Sequence, residues 1–367
     1  EQALDPDEIG VVKLNLTGLA ADTAYAFVFV DDSGARSLVG RFRTAPLDSS
    51  WRVVRFGATS CTAQGFRPFP CLSHTAPEAL DFFLSLGDTT YCDGNQTAEQ
   101  YRESWHDNFS SQGYLDLRAS TSLLMTWDDH EVENVNGGEW DVSAERMAIA
   151  RAEFWRHNTV RPDPDSEFTL WRTLRFGRAV EVFVLDCRSE RVVDDERYIS
   201  AAQMDWLKAA LSASTAAFKV IMNSVPIGNL VAGQPLDSAF DASPFILDRW
   251  EGYPIQRAEI LDHIVDNGID RVIWVSGDVH FGAFLELELD GPYQGQWDVV
   301  AGPGGNNNPL ASALQQAPPF TFVTGDNNWV LFEADPVAGT LRAAFISDTG
   351  AELASQVFTS VALADVT

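Results

Sequence analysis

The stretch Phe82-Phe83-Leu84-Ser85-Leu86-Gly87-Asp88-Thr89-Thr90-Tyr91 is an apolar run that stops at a Gly-Asp pair. A short apolar run punctuated this way reads as a buried strand ending in a loop. A carboxylate at the carboxyl end of a strand in an α/β sheet stands where ligand sites usually form. The pattern recurs at Ile273-Trp274-Val275-Ser276-Gly277-Asp278-Val279-His280. Between the two lies Leu123-Leu124-Met125-Thr126-Trp127-Asp128-Asp129-His130-Glu131. Three predicted strand ends thus carry an Asp, and two of them also carry a His. Strand ends far apart in sequence can meet in space, and a rigid frame of this kind suits a metal site.

The 367 residues suffice for one large α/β domain and a small appendage. Apolar residues make up 45% of the chain, with 11 Trp and 23 Phe, so a sizeable core is expected. The formal net charge is −28, and the only lysines are Lys13, Lys208 and Lys219. Such a surface repels nucleic acid and anionic membranes, which are set aside as main partners. It reads first as a solvated acidic exterior, and a bound metal can reverse the field locally for an anionic substrate. No apolar run approaches the length of a transmembrane span. The chain starts at Glu1, which suggests a processed amino terminus and an extracellular or periplasmic setting. Cys61, Cys71, Cys92 and Cys187 form no CxxC pattern. Cys71 and Cys92 flank one predicted helix and are candidates for a disulfide, whereas Cys187 reads as a buried free thiol.

Residues 1–47 read as a small β segment, with strands at Val11 to Leu16, Ala24 to Val30 and Leu38 to Arg43. Leu16 to Tyr25 resembles the late-strand region of a fibronectin type III domain, in which a Tyr bonds back to the corner before its strand. Ala45 to Ser50 serves as a linker, and residues 48–367 form the second, larger domain. There strands and helices alternate. Helices are predicted over 76–84, 97–110, 143–156, 200–213 and 255–267, with Ser143 and Ser200 as N-caps. Strands are predicted over 52–57, 121–126, 180–185, 218–223, 271–276, 297–301, 328–334 and 340–346. Several are near-continuous apolar runs, as in strands covered on both faces. The loop Gly302 to Pro309 rims the site, and Trp140 with the loop Asn134 to Gly138 reads as loop packing or as a wall of the pocket.

The residues at these strand ends are Asp88, Asp129, Asp278, His130 and His280, with the thiol of Cys61 and the phenol of Tyr91. Oxygen donors suit Ca²⁺, Mg²⁺ or Mn²⁺. A thiolate with a phenolate and an imidazole suits a ferric ion better. The set points to two unlike metal positions sharing one carboxylate. Two metals about 3.5–4 Å apart clamp the attacking and leaving oxygens of an in-line displacement.

Gly87-Asp88-Thr89-Thr90-Tyr91 resembles the Gly-Asp-x-x-Tyr element of purple acid phosphatases. Asp129-His130-Glu131 resembles the Asn-His-Glu element of calcineurin-like metallophosphoesterases, and Gly277-Asp278-Val279-His280 their Gly-His-x-His. The full set, with Ser60-Cys61, resembles the PhoD family of alkaline phosphatases and phosphodiesterases over about residues 45 to 350. The resemblance implies a four-layer α/β/β/α sandwich and hydrolysis of small-molecule phosphate esters, monoesters or diesters. It implies Fe³⁺ and Ca²⁺, with Mn²⁺ and Zn²⁺ as alternatives. Carried over by position, Cys61, Tyr91 and His280 bind iron, Asp88 bridges, Asp129 and Asp278 bind calcium, and His130 lies beside the scissile phosphate. Ser60-Cys61 stands where many relatives have Asp-x-His, and Asn223 where many have a His, which leaves Asn223 a candidate ligand or phosphate contact. Arg188, after the strand ending Leu185-Asp186-Cys187, is a candidate fork for phosphate or a partner of Asp186 or another carboxylate. The competing functions are a phospholipase-D-like phosphodiesterase and a non-catalytic calcium-dependent binding protein, of which the latter leaves Cys61, Tyr91 and His280 without a role. Sequence does not give the oligomeric state.

Overall fold

Phe82 and Leu84 face one hydrophobic layer and Phe83 another, which is the period-two alternation of a strand buried on both sides. The computed structural model describes residues 10–135, 139–160, 169–230, 244–308, 311 and 318–359. Pro309 and residues 136–138, named above as parts of loops, lie outside them.

The strands are β1 (Ala24–Phe27), β2 (Gly40–Arg43), β3 (Val54–Thr59), β4 (Phe82–Ser85), β5 (Leu123–Met125), β6 (Arg172–Phe176), β7 (Val180–Val184) and β8 (Phe218–Met222). They continue with β9 (Val272–Ser276), β10 (Gly282–Glu286), β11 (Trp297–Val300), β12 (Phe320–Thr324), β13 (Asn328–Asp335), β14 (Thr340–Ser347) and β15 (Glu352–Thr359). One sheet has the order β15-β14-β13-β3-β4-β5 and the other β12-β10-β11-β9-β8-β7-β6. In each, the strands that feed the site are parallel: β3, β4 and β5 in the first, β7, β8 and β9 in the second. Within each sheet their carboxyl ends therefore open on one side, and residues that follow β3, β4 and β9 (Cys61, Asp88 and His280) meet there across the two sheets.

The two sheets pack face to face over Phe56, Phe82, Leu84, Val182, Val220, Met222, Val275 and Phe332. Phe56 lies stacked between Phe82 and Phe332, with centroids 4.8 and 4.6 Å away. Helices α1 (Pro70–Ser73), α2 (Ala98–Phe109), α3 (Gln112–Ser120) and α4 (Ala144–His157) cover the outer face of the six-stranded sheet. Then come α5 (Ala201–Ala213), α6 (Pro244–Leu247) and α7 (Pro254–Asp266), of which α5 and α7 cover the other sheet. The result is the expected α/β/β/α sandwich. Ser143 and Ser200 cap α4 and α5 by accepting from Arg146 and Gln203 amides, and Thr97 forms a capping box with Gln100 on α2. No described helix is long and apolar enough to cross a membrane.

Three expectations fail. No helix spans 76–84: a single turn at Ala76–Glu78 gives way to β4. Pairing of the 82–85 run with β3 outweighs the helical pattern of Ala76 to Leu80. Val11 to Leu16 is not a described strand, and the small β segment shows one ribbon, β1 with β2. In it the Ala20 amide donates to the Tyr25 hydroxyl at 2.9 Å. Cys71 and Cys92 form no disulfide; all four cysteines are free and buried. The ribbon is held to the main body by ion pairs in which Arg52 bridges Asp22 of the segment and the buried Asp81 before β4.

Two outcomes follow from this packing. Phe56→Ala removes the middle ring of the stack and is expected to lose about 3–5 kcal/mol in urea unfolding; an unchanged midpoint would contradict the role given to the stack. Asp298 on β11 accepts from the amides of Ile227 and Gly228 and from the Ser276 hydroxyl. Burial outweighs these bonds and pushes its carboxyl up to about 6. The folded chain then keeps a proton that the unfolded chain loses from about pH 4 upward. Stability due to this group is therefore present at low pH and falls as pH rises to about 6. Asp298→Asn keeps the hydrogen-bonding shape, so the stability difference between wild type and variant should slope across that window and be flat above it.

Candidate metal centre

The loops that follow β3, β4 and β5 are tied together by backbone bonds before any side chain enters. The amides of Cys61 and Thr62 donate to the carbonyls of Gly87 and Asp88 at 3.3 and 2.9 Å. The buried Glu131 carboxylate accepts from the amides of Asp88, Thr89 and Asp128 at 3.0, 2.6 and 2.8 Å. Gly87 has φ +105, and a Cβ there would lie 2.6 Å from that of Asp128; only glycine lets these two loops approach so closely. Cys61, Asp88, Asp278 and His280 all have positive φ, between 52° and 70°. Non-glycine residues in that region store about 1–3 kcal/mol each and cluster at functional sites.

These backbones bring the predicted side chains together. Asp88 Oδ2 lies 3.5 Å from the Cys61 sulfur and accepts from the Tyr91 hydroxyl at 3.3 Å. The Tyr91 oxygen lies 3.2 Å from His280 Nε2, and Asn306 Nδ2 donates to it at 3.0 Å. Among the described residues, three groups have donor atoms within 4.8 Å of one another: Cys61 with Asp88 and His280, Asp88 with Asp129 and His130, and Asp128 with Asp129 and Asp278. Asp88 belongs to two of these groups and Asp129 to two. The His130 ring lies tilted against that of Tyr91, with centroids 4.0 Å apart, and its Nδ1 meets Asp93 at 2.7 Å. Trp140 Nε1 donates to the carbonyls of Asp129 and Glu133, which fixes the turn carrying Asp129.

Two candidates have other occupations. The Asn223 carbonyl oxygen accepts from the Cys187 thiol at 2.9 Å and the Trp250 indole at 3.3 Å. Those two bonds use the lone pairs that ligation needs. Arg188 forks, but onto carboxylates of the protein. Its Nε and Nη2 donate to Asp128 at 2.6 and 2.9 Å, and its Nη1 donates to Asp248. Nη2 also stands 3.7 Å from Asp129 and 3.6 Å from Asp278. Asp186 instead accepts from the amides of Arg188 and Ser189 and from the Trp127 indole. Sequence reasoning quoted Asp128 without a role, placed Asn306 in a loop at the rim without giving it one, and missed Asp93 and Asp248. For Asp93 a signal existed, a carboxylate two residues after Tyr91 in a short loop.

Burial pushes the Asp88 and Asp278 carboxyls well above their ordinary range, with neighbouring carboxylates adding to it. It also pushes the Cys61 thiol and Tyr91 phenol well up, reinforced by Asp88. Burial holds His280 down at about 4. For His130 burial acts downward, but Asp88, the bond to Asp93 and Asp129 overcome it and hold the imidazole at about 10. Asp88 Oδ1 is buried with no hydrogen-bond partner among the described residues. Clustered acids that resist ionisation, one orphaned carboxylate oxygen and a mixed sulfur, oxygen and nitrogen donor set all fit cations, which displace such protons when they bind.

A family model described as PhoD-like phosphatase matches residues 56–334. Alkaline phosphatase D of Bacillus subtilis (strain 168) is 26% identical over 328 residues, covering 76% of this chain and 54% of that protein. The chain thus spans about half the length of that relative. A solved structure of PhoD superposes with a TM-score of 0.76 at 23% identity, covering 93% of this chain and 75% of the other. Purple acid phosphatase PPD1 from seeds of yellow lupin (Lupinus luteus) gives a TM-score of 0.63 at 14% identity, covering 94% and 61%. These two show the shared sandwich. The matched span runs from β3 to β13 and takes in every residue of the three donor groups, and the chain belongs to the PhoD-like phosphatase family.

Proposed function

We propose that this chain hydrolyses phosphate esters at the mouth of the two sheets. The observation that carries the reading is Asp88, one carboxylate shared by a thiol–imidazole group and a carboxylate–imidazole group. A shared carboxylate between unlike donor sets suits two cations held side by side. Cys61, Tyr91, His280 and Asp88 suit Fe³⁺, with Mn²⁺ or Zn²⁺ as alternatives. Asp129, Asp278 and Asp88 suit Ca²⁺. Bound there, such cations lower the pKa of water and neutralise phosphoryl oxygens.

The chain's own residues supply the rest. His130, half-buried at the rim, holds a proton at Nε2 for the leaving oxygen. Arg188 does not reach for substrate in this reading; it keeps Asp128, Asp129 and Asp278 in one place against their mutual repulsion. Monoesters and diesters both fit the chemistry. A purely calcium-binding role gives Cys61, Tyr91 and His280 nothing to do.

Protein purified without chelator should contain iron and calcium and show a broad visible phenolate-to-iron band. Tyr91→Phe should abolish that band; a colourless wild type containing zinc or manganese would remove the ferric assignment but keep the esterase. Asp88→Asn should lose bound metal and lower turnover of p-nitrophenyl phosphate and bis(p-nitrophenyl) phosphate by roughly 10³-fold or more. His130→Ala leaves the carboxylates of Asp88 and Asp129 in place and should lower kcat by about 10²–10⁴-fold. Full turnover in Asp88→Asn would sink the assignment of the site.

A further inference from the structure

We propose that Asn306 is the positioning residue for the phenol of Tyr91, its side-chain amide holding the phenol oxygen beside Asp88 and His280, an inference that rests on the metal assignment above. Among the described residues the Tyr91 oxygen meets three polar atoms. They are Asp88 Oδ2 at 3.3 Å, His280 Nε2 at 3.2 Å and Asn306 Nδ2 at 3.0 Å. The first two belong to residues assigned above as ligands, so a cation competes for their lone pairs. Asn306 has no such duty, and its half-buried side chain is free to serve the phenol alone.

The backbone that carries Asn306 is fastened to the loops it serves. It belongs to the loop that follows β11. The Gly304 and Gly305 amides donate to the carbonyls of Ser60 and Cys61 at 2.8 and 3.0 Å, and the Gly305 carbonyl accepts from the Ala63 amide at 2.9 Å. A Cβ on Gly305 would stand 2.5 Å from the Phe69 ring, so this approach requires glycine. Two residues beyond Asn306, the Asn308 amide donates to the His280 carbonyl at 3.0 Å, and Asn308 Nδ2 donates to the Val279 carbonyl at 3.2 Å. One loop thus touches the backbones of Cys61 and His280 and the side chain of Tyr91, three of the four residues assigned to the ferric position. Asn306 Nδ2 also lies 3.2 Å from His280 Nε2. An imidazole nitrogen has a single lone pair, which a cation and the amide cannot share. A phenolate oxygen has more than one and can serve both. The bond from Asn306 to Tyr91 is therefore the one that persists beside a seated cation. It locates the oxygen while the His130 ring lies against the phenol ring. It also draws electron density from the oxygen, which raises the energy of charge transfer from phenolate to iron.

The test loads wild type, Asn306→Ala and Asn306→Leu with Fe³⁺ and Ca²⁺; leucine keeps the bulk of asparagine without its donor. The phenolate-to-iron band should move to longer wavelength in both variants, and both should bind iron about 10–100-fold more weakly than wild type. A band that stays at the wild-type wavelength in either variant would overturn the proposal, whatever the affinity. A wild type that takes up no iron removes the ferric assignment, and the Zn²⁺-loaded protein then decides. In competition with a chelator such as EDTA the variants should hold zinc about 10–100-fold more weakly than wild type, and equal retention overturns the proposal. A wild type that shows the band but turns over neither p-nitrophenyl phosphate nor bis(p-nitrophenyl) phosphate overturns the esterase reading instead. The position of the band still decides whether Asn306 holds Tyr91.

Discussion

The fold has to hold Asp88, Asp128, Asp129, Asp248 and Asp278 in one buried region with Arg188 among them. Two like charges about 4 Å apart repel by about 4 kcal/mol at an effective dielectric of 20, and burial adds a desolvation penalty to each. The chain meets this in two ways. Arg188, which touches four of the five carboxylates, is held strongly cationic by them. Asp88 and Asp278 instead resist ionisation until a cation is present. Removing Arg188 leaves uncompensated buried charge, whereas removing a cation lets protons take its place.

A site with this much internal repulsion needs a frame that does not relax. The frame is the pair of sheets, with their parallel strands ending on one side and their inner faces locked by stacked rings at Phe56, Phe82 and Phe332. Above it, Glu131 acts as a staple: one carboxylate gathers amides from the loops after β4 and β5. Positive φ at Cys61, Asp88, Asp278 and His280 is tolerable because each residue is fastened on both sides by pairing or by the neighbouring loop. Strain is thus confined to the loops and supported by a regular interior.

Much of this was legible in the sequence because it is written in local signals. Apolar runs such as 82–86 and 272–276 ending in Gly-Asp give both the strand and the position of the carboxylate. Helix starts at Ser143 and Ser200 show through their caps. The strands that escaped notice, β6, β10, β12 and β15, are short or half-exposed and gain their identity from antiparallel partners rather than from their own pattern. The helix expected over 76–84 has the opposite fault: its local pattern is helical, but pairing with β3 claims its second half. Arg188 shows the limit most plainly. Sequence placed it at a strand end and left fork and ion pair open, but the choice depends on Asp128 and Asp248, each 60 residues away. Asp248 lies in a loop with no strand-end signature at all.

The net charge of −28 also takes on meaning from the site. An acidic exterior repels phosphate esters, and Arg188, the cation embedded among these carboxylates, has each guanidinium nitrogen engaged by a carboxylate. The Arg188 charge is therefore neutralised within the protein, and the His130 imidazolium at the rim stands among Asp88, Asp93 and Asp129, which weakens the pull of the protein alone on an ester. The same negative field draws metal cations toward the site, and the protonated acids there exchange protons for them. Once cations are seated, the local potential reverses while the rest of the surface stays acidic. In the proposed reading the order of events is thus fixed by electrostatics: the site takes up its cations first, and only then attracts an anionic substrate.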